Sequence, residues 1–207
     1  MSKSGKGTRV DPLLISDILS DTRHRRVLSL VANEPGPMTE SDLAIQLAAL
    51  EERKPPGRVT DDERERRRID LYHCHLPKLE SAGLVVRTAA GIRLVPRFPV
   101  DLEAFGVPLP SPDQPEDPRW DVIAVFVARP YRRDVVELVA DRTEPLSLEE
   151  LSERLVVEGA DGAVESPNTL RLRLHHVDLP KLDAVDVLSY DAREHNIRPG
   201  RALTAVL

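Results

Sequence analysis

Cysteine and lysine are nearly absent from this sequence. It has one cysteine, Cys74, and five lysines: Lys3, Lys6, Lys54, Lys78 and Lys181. A lone thiol forms no disulfide within the chain and leaves no cysteine-based zinc cluster. No apolar run approaches the roughly 18 residues of a membrane span. Residues 1–10 are polar and lack the apolar core of a signal peptide. These absences point to the cytoplasm and away from any membrane. Also missing are a glycine-rich phosphate loop, a nucleophile elbow and a paired-carboxylate motif. The scattered acids read as a solvated surface. We expect no enzyme, no catalytic residue and no cofactor.

Acidic residues outnumber basic ones by 35 to 29, giving a formal net charge of −6. That balance argues against nonspecific binding to nucleic acid, but it leaves room for a local basic patch. An acidic, lysine-poor composition fits a halophilic protein, and it also fits a GC-rich genome.

What the sequence does have is a duplication. Leu71-Tyr72-His73-Cys74-His75-Leu76-Pro77-Lys78-Leu79-Glu80 recurs as Leu174-His175-His176-Val177-Asp178-Leu179-Pro180-Lys181-Leu182-Asp183, so the offset is 103 residues. Upstream, Arg25 to Ala32 matches Arg133 to Ala140 at an offset of 108. A repeat of this length means two small domains rather than a solenoid. The connection within the first copy is five residues longer (108 against 103), which places a loop at about Glu52–Thr60.

Each copy reads as helix, helix, helix and hairpin. In the first, apolar residues at Leu14, Ile15, Ile18 and Leu19 have helical spacing. Asp21 or Thr22 caps the next helix, and Thr39 caps the one after it, with Leu43, Leu47 and Leu50 as its buried stripe. Thr60 opens a long helix that ends at Gly83. A hairpin over 84–88 and 92–95 follows. The expected boundaries are a disordered 1–10, a first domain at 11–95, a proline-rich linker at 96–118, a second domain at 119–198 and a tail at 199–207.

The run His75-Leu76-Pro77-Lys78-Leu79-Glu80-Ser81-Ala82-Gly83-Leu84-Val85 resembles the end of the third helix in small prokaryotic winged-helix regulators. The whole unit looks most like a winged-helix domain of halophilic archaea with no assigned activity. The resemblance covers about 14–95 and 120–198. It implies a mainly α protein with small β wings: two tandem winged-helix domains related by internal duplication. It also implies a transcriptional regulator that binds double-stranded DNA.

On that reading the third helices and wings supply the DNA contacts: Arg64, Arg67, Arg68, Lys78, Arg87 and Arg93 in copy one, and Asn168, Arg171, Arg173 and Lys181 in copy two. Copy one, with its arginine run at 64–68, is expected to carry most of the contact. The alternative is that these arginines pair with Asp61, Asp62, Glu63 and Glu65 on one charged helix. The protein would then be an interaction scaffold without DNA binding. At about 100° per residue, one helical face carries Leu71 and Cys74, and its counterpart carries Leu170, Leu174 and Val177. We expect these five at an interface, within a homodimer or a pseudo-dimer of the repeats. His73 and His75 point about 200° apart on a helix and share no metal ion. His73 and His176 read as core-edge histidines with hydrogen-bond partners, on a face completed by Ile69, Tyr72, Leu76 and Leu79.

Overall fold

The computed structural model describes residues 11–96, 114–157 and 166–203. The expected disordered start, most of the linker and the end of the tail lie outside them. The described chain is mainly helical with small antiparallel sheets, and it divides into two compact units, meeting in sequence between Glu116 and Asp117.

Unit one opens with α1 (Pro12–Ser20) and α2 (Thr22–Asn33). Asp21 separates them, and its carboxylate accepts the Arg23 and His24 amides at the start of α2. Helix α3 (Glu40–Glu51) is capped by Thr39, whose hydroxyl accepts the Asp42 amide. Its buried face is Leu43, Ala44, Leu47 and Ala48; Leu50, expected in that stripe, is half exposed on the last turn. Helix α4 (Asp61–Asp70) starts with a full capping box between Thr60 and Glu63. Then come a π-helical turn (Leu71–His75), α5 (Leu76–Ser81), β1 (Val85–Thr88) and β2 (Gly91–Leu94).

Gly83 has φ +67°, the left-handed conformation that ends a helix without steric cost. The hairpin is antiparallel, from Val85 opposite Leu94 to Thr88 opposite Gly91. Met38 adds a single bridge to Ile92. Gly91 permits this, because a Cβ there would stand 2.6 Å from the Met38 carbonyl oxygen. At the far end of the sequence segment, the Arg25 Nε donates to the Pro115 carbonyl at 2.5 Å and Arg26 pairs with Glu116.

Unit two repeats the order with α6 (Arg119–Ala128), α7 (Arg132–Ala140), β3 (Leu146–Ser147) and α8 (Leu148–Val157). It continues with α9 (Pro167–Arg173), a second π turn (Leu174–Asp178), α10 (Leu179–Ala184), β4 (Leu188–Asp191) and β5 (Asn196–Pro199). The single Met38 bridge of unit one becomes a short strand here, giving a sheet of order β3-β5-β4. Asp186, with φ +59°, stands where unit one has Gly83. The start of the tail belongs to this unit: Gly200 and Ala202 donate to the Val187 and Asp186 carbonyls, and Leu203 is buried.

The π turns were not legible as such, and they overturn two expectations. Proline has no N–H and its ring clashes with the carbonyl four residues back, so Pro77 cannot sit inside a regular α-helix without cost. The Leu76 amide instead reaches back five residues to the Leu71 carbonyl, and Pro77 falls in the first turn of a new segment. Leu179, Leu174 and Pro180 do the same in unit two. In a straight helix, Leu71 and Leu76 would lie about 140° apart. The extra residue brings them onto one face, and Leu71, Leu76 and Leu79 are all fully buried. Leu170 and Leu174 are likewise fully buried. Three of the five expected interface residues are therefore core, while Cys74 and Val177 are exposed. The same shift exposes Ile69, Tyr72, His73 and His176, while His75 and His175 are half-buried.

Candidate nucleic-acid interface

The exposed stripes of the two third helices follow from this register. In unit two, Asn168, Leu172, Val177 and Lys181 succeed one another at steps of four, five and four residues, the middle step crossing the π turn. All four are exposed. The equivalent stripe of unit one is Glu65, Ile69, Cys74 and Lys78, of which Lys78 is half-buried.

The electrostatics of the two stripes differ. Three acids, Asp61, Asp62 and Glu63, crowd the first turn of α4. Arg64 pairs with Asp61 at 3.0 Å, and Arg68 pairs with Glu65 at 2.6 Å. The hydrogen bonds from Arg68 hold the Glu65 carboxyl below its usual range. Lys54 and the Thr60 amide together pull Glu63 down to about 2. Arg67 turns away from the stripe to meet Glu51 at 2.5 Å. Lys78 is taken by Asp17. On the hairpin, Arg87 reaches Glu80 at 2.7 Å and stacks over Tyr72 at 5.5 Å from the ring centroid. Of the six expected DNA contacts in unit one, only Arg93 is exposed without an acidic partner among the described residues.

In unit two the first turn of α9 contains no acid and is capped by the Ser166 hydroxyl, which accepts the Thr169 amide. Arg171 and Lys181 are exposed and have no acidic partner among the described residues. Arg198, on β5, shares that condition, whereas Arg193, exposed in the hairpin turn, donates its amide to Asp191 at 2.9 Å and its charge helps hold that carboxyl below its usual range. These two hairpin arginines were not singled out from the sequence. Ile92 and Ile197 bridge the same helix-entry strand in the two units, so Arg198 is the counterpart of Arg93, and that alignment was the available signal. Arg173, by contrast, turns inward: its Nε donates to the Tyr131 hydroxyl at 3.0 Å and lies 3.6 Å from Asp178.

Each third helix is fixed to the rest of its unit by a polar couple, fully buried in unit two and half-buried at His75 in unit one. In unit two, Arg132 donates from Nε at 2.9 Å and from Nη2 at 2.7 Å to the Asp178 carboxylate, which also accepts the Tyr131 hydroxyl. Arg132 and Asp178 are 1% and 0% exposed, and Arg129 and Arg173 each bring a further guanidinium nitrogen to 3.6 Å from the same carboxylate. Burial beside Asp178 pushes the Tyr131 hydroxyl well above the usual range, so it stays a donor. In unit one the equivalent positions hold His24 and His75, with Nε2 and Nδ1 at 3.2 Å. Asp21 stands 3.3 Å from the other ring nitrogen of His24. Burial drives His24 down to about 4, and burial with the nearby Arg23 lowers His75. The sequence held the clue to both couples, since offsets of 108 and 103 set His24 against Arg132 and His75 against Asp178.

The family model described as "Domain of unknown function (DUF7344)" matches residues 16–90 and, a second time, residues 126–198. The chain belongs to the DUF7344 family. It holds two copies of the domain, and the matched segments end at the two hairpins. No curated protein and no solved structure matches the chain. No helix among the described residues is long and apolar enough to cross a membrane.

Proposed function

We propose that the protein is a transcriptional regulator that binds double-stranded DNA through winged-helix units, with the second DUF7344 unit as its reading head. Support for the fold comes from the element order: two helices, a short strand or bridge, a helix, a long helix and a hairpin that pairs with that strand. In winged-helix and helix-turn-helix proteins the long helix enters the major groove, with its first residues at the base edges.

The observation that carries the choice of unit is the set of exposed cations on unit two that have no acidic partner among the described residues: Arg171, Lys181 and Arg198. Asn168 and Thr169 stand at the start of the same helix, where amide and hydroxyl groups suit base edges. In unit one the same place carries Asp61, Asp62 and Glu63, which repel phosphate. The paired arginines of unit one therefore act within their own domain, and the expectation that copy one dominates gives way to its opposite.

The test is the salt dependence of binding to a random-sequence duplex by fluorescence anisotropy. Arg171→Ala with Lys181→Ala should weaken binding and lower the logarithmic salt slope by about 1.8, or about 0.9 per phosphate contact. Arg67→Ala with Arg68→Ala should leave the slope where it was. A slope unchanged in the first variant overturns the assignment to unit two. The closed ion pairs of unit one favour the second reading, an interaction scaffold. Its signature is no duplex binding even at low salt.

A further inference from the structure

The exposed stripe of the second third helix is not uniformly polar. Leu172 is 59% exposed and Val177 is 37% exposed, between Asn168 on one side and Lys181 on the other. Both lie opposite the buried face of Leu170, Leu174, Leu179 and Leu182, so neither is needed to hold the unit together. Exposing a leucine costs apolar hydration unless something covers it.

The charge around the stripe restricts what that cover is. Arg171 precedes Leu172 and Lys181 ends the stripe, both without an acidic partner among the described residues. The occupant is therefore anionic at its edges and apolar at its centre. The major groove of B-DNA has that character: phosphates line both rims, and each thymine projects a C5-methyl group into the groove. Unit one has the apolar pair, Ile69 and Cys74, but its stripe begins at Glu65 and its lysine is bound to Asp17, so the anionic rims have no partner there.

We infer that Leu172 reads the C5-methyl group of thymine in the major groove, with Arg171 and Lys181 holding the flanking phosphates, so that the second unit selects thymine-containing sites. This rests on the DNA-binding reading above. Asn168, one turn earlier on the same stripe, faces the neighbouring base pair, where a side-chain amide suits the N6 and N7 edge of adenine. Removing one buried methyl group corresponds to about fourfold in affinity.

The experiment begins by enriching duplexes from a random-sequence pool with the full chain. The enriched duplexes are then rebuilt with deoxyuridine replacing thymidine one position at a time, and Kd is measured for each. Deoxyuridine keeps every hydrogen-bonding group of thymidine and lacks only the methyl. The wild type should lose about fourfold at one thymine of the site. Leu172→Ala should bind the thymidine and deoxyuridine duplexes alike, while Ile69→Ala keeps the discrimination. Circular dichroism of Leu172→Ala serves as the folding control, and Leu172→Met, which restores an apolar reach, should recover part of the difference. Equal binding of both duplexes by the wild type overturns the inference and leaves DNA binding standing. Discrimination that survives in Leu172→Ala also overturns it. So does a Leu172→Ala chain that loses self-association while the wild type ignores the methyl, since the cover is then a second copy. Failure to enrich or bind any duplex overturns the DNA-binding reading itself.

Discussion

His24 and His75 share one hydrogen bond, 3.2 Å from ring nitrogen to ring nitrogen, at the positions where unit two holds Arg132 against Asp178. One imidazole must be a neutral acceptor for this bond to exist. Other charges face the couple from every side: Asp17 of α1, Asp21 between α1 and α2, Arg23 of α2, Glu51 of α3, Asp70 of α4 and Lys78 of α5. Burial still dominates, and it holds His24 down at about 4.

Unit one should therefore lose stability in mild acid. The folded state refuses a proton that the unfolded chain accepts, so the contribution of His24 is fully present above its ordinary value of 6.5 and declines as the pH falls towards 4. A depression of that size corresponds to about 3 kcal/mol, and His75 acts in the same direction. Hydrogen exchange at pH 7 and pH 5 should show faster opening of α2 and α5 in unit one. Fluorescence of Trp120, the single tryptophan and a residue of α6, should stay constant over that interval. Installing the second unit's couple, His24→Arg with His75→Asp, should flatten the acid dependence. Equal protection at the two pH values would count against a titrating couple.

The Arg132–Asp178 couple makes a different demand. Both groups are buried; Asp178 accepts from Arg132 and Tyr131, and Arg132 also donates from Nη1 to the Val125 carbonyl at 2.7 Å. Asp178→Ala leaves the guanidinium desolvated and unpaired, a loss of about 3–5 kcal/mol. Urea unfolding followed through Trp120 should show that loss. A midpoint shift worth less than about 1 kcal/mol would mean that water reaches Arg132 once the carboxylate is gone.

The sequence revealed the repeat, the helix starts and the hairpins because each rests on a local signal. Thr39, Thr60 and Ser166 are side chains that satisfy free amides within three residues, and Gly83 is a residue that tolerates positive φ. The π turn was hidden because helical angles at about 100° per residue presuppose regular hydrogen bonding, and one inserted residue rotates everything upstream. Hence Ile69 and Tyr72, which regular helical angles turn inward, are exposed, while Leu71, which the same angles turn outward, is buried. The candidate interface was legible as a set of arginines, not as a set of free arginines. Arg67 finds Glu51 on another helix and Arg87 finds Glu80, contacts that no spacing along one helix foretells. The unit with fewer arginines on its third helix is the one in which Arg171 and Lys181 have no acidic partner among the described residues.

Leu174 and Val177 provide the sharpest test of the helical register. They are three residues apart and were expected together on one interface, yet Leu174 is fully buried and Val177 is 37% exposed. The π turn that begins at Leu174 separates them, bringing Leu174 into line with Leu179 in the core. Leu174→Asp places a carboxylate in an apolar interior with no partner provided for it. Unit two should lose several kcal/mol or fail to fold, with no folded species of altered association state. Val177→Asp puts the same charge on the exposed stripe, where a surface substitution changes stability by about 0.5 kcal/mol or less. Thermal unfolding and size-exclusion chromatography of the two variants check the pair. A regular helix would reverse the ranking or make the two alike. A folded Leu174→Asp chain would show that this segment keeps α-helical register and that Leu174 faces outward after all.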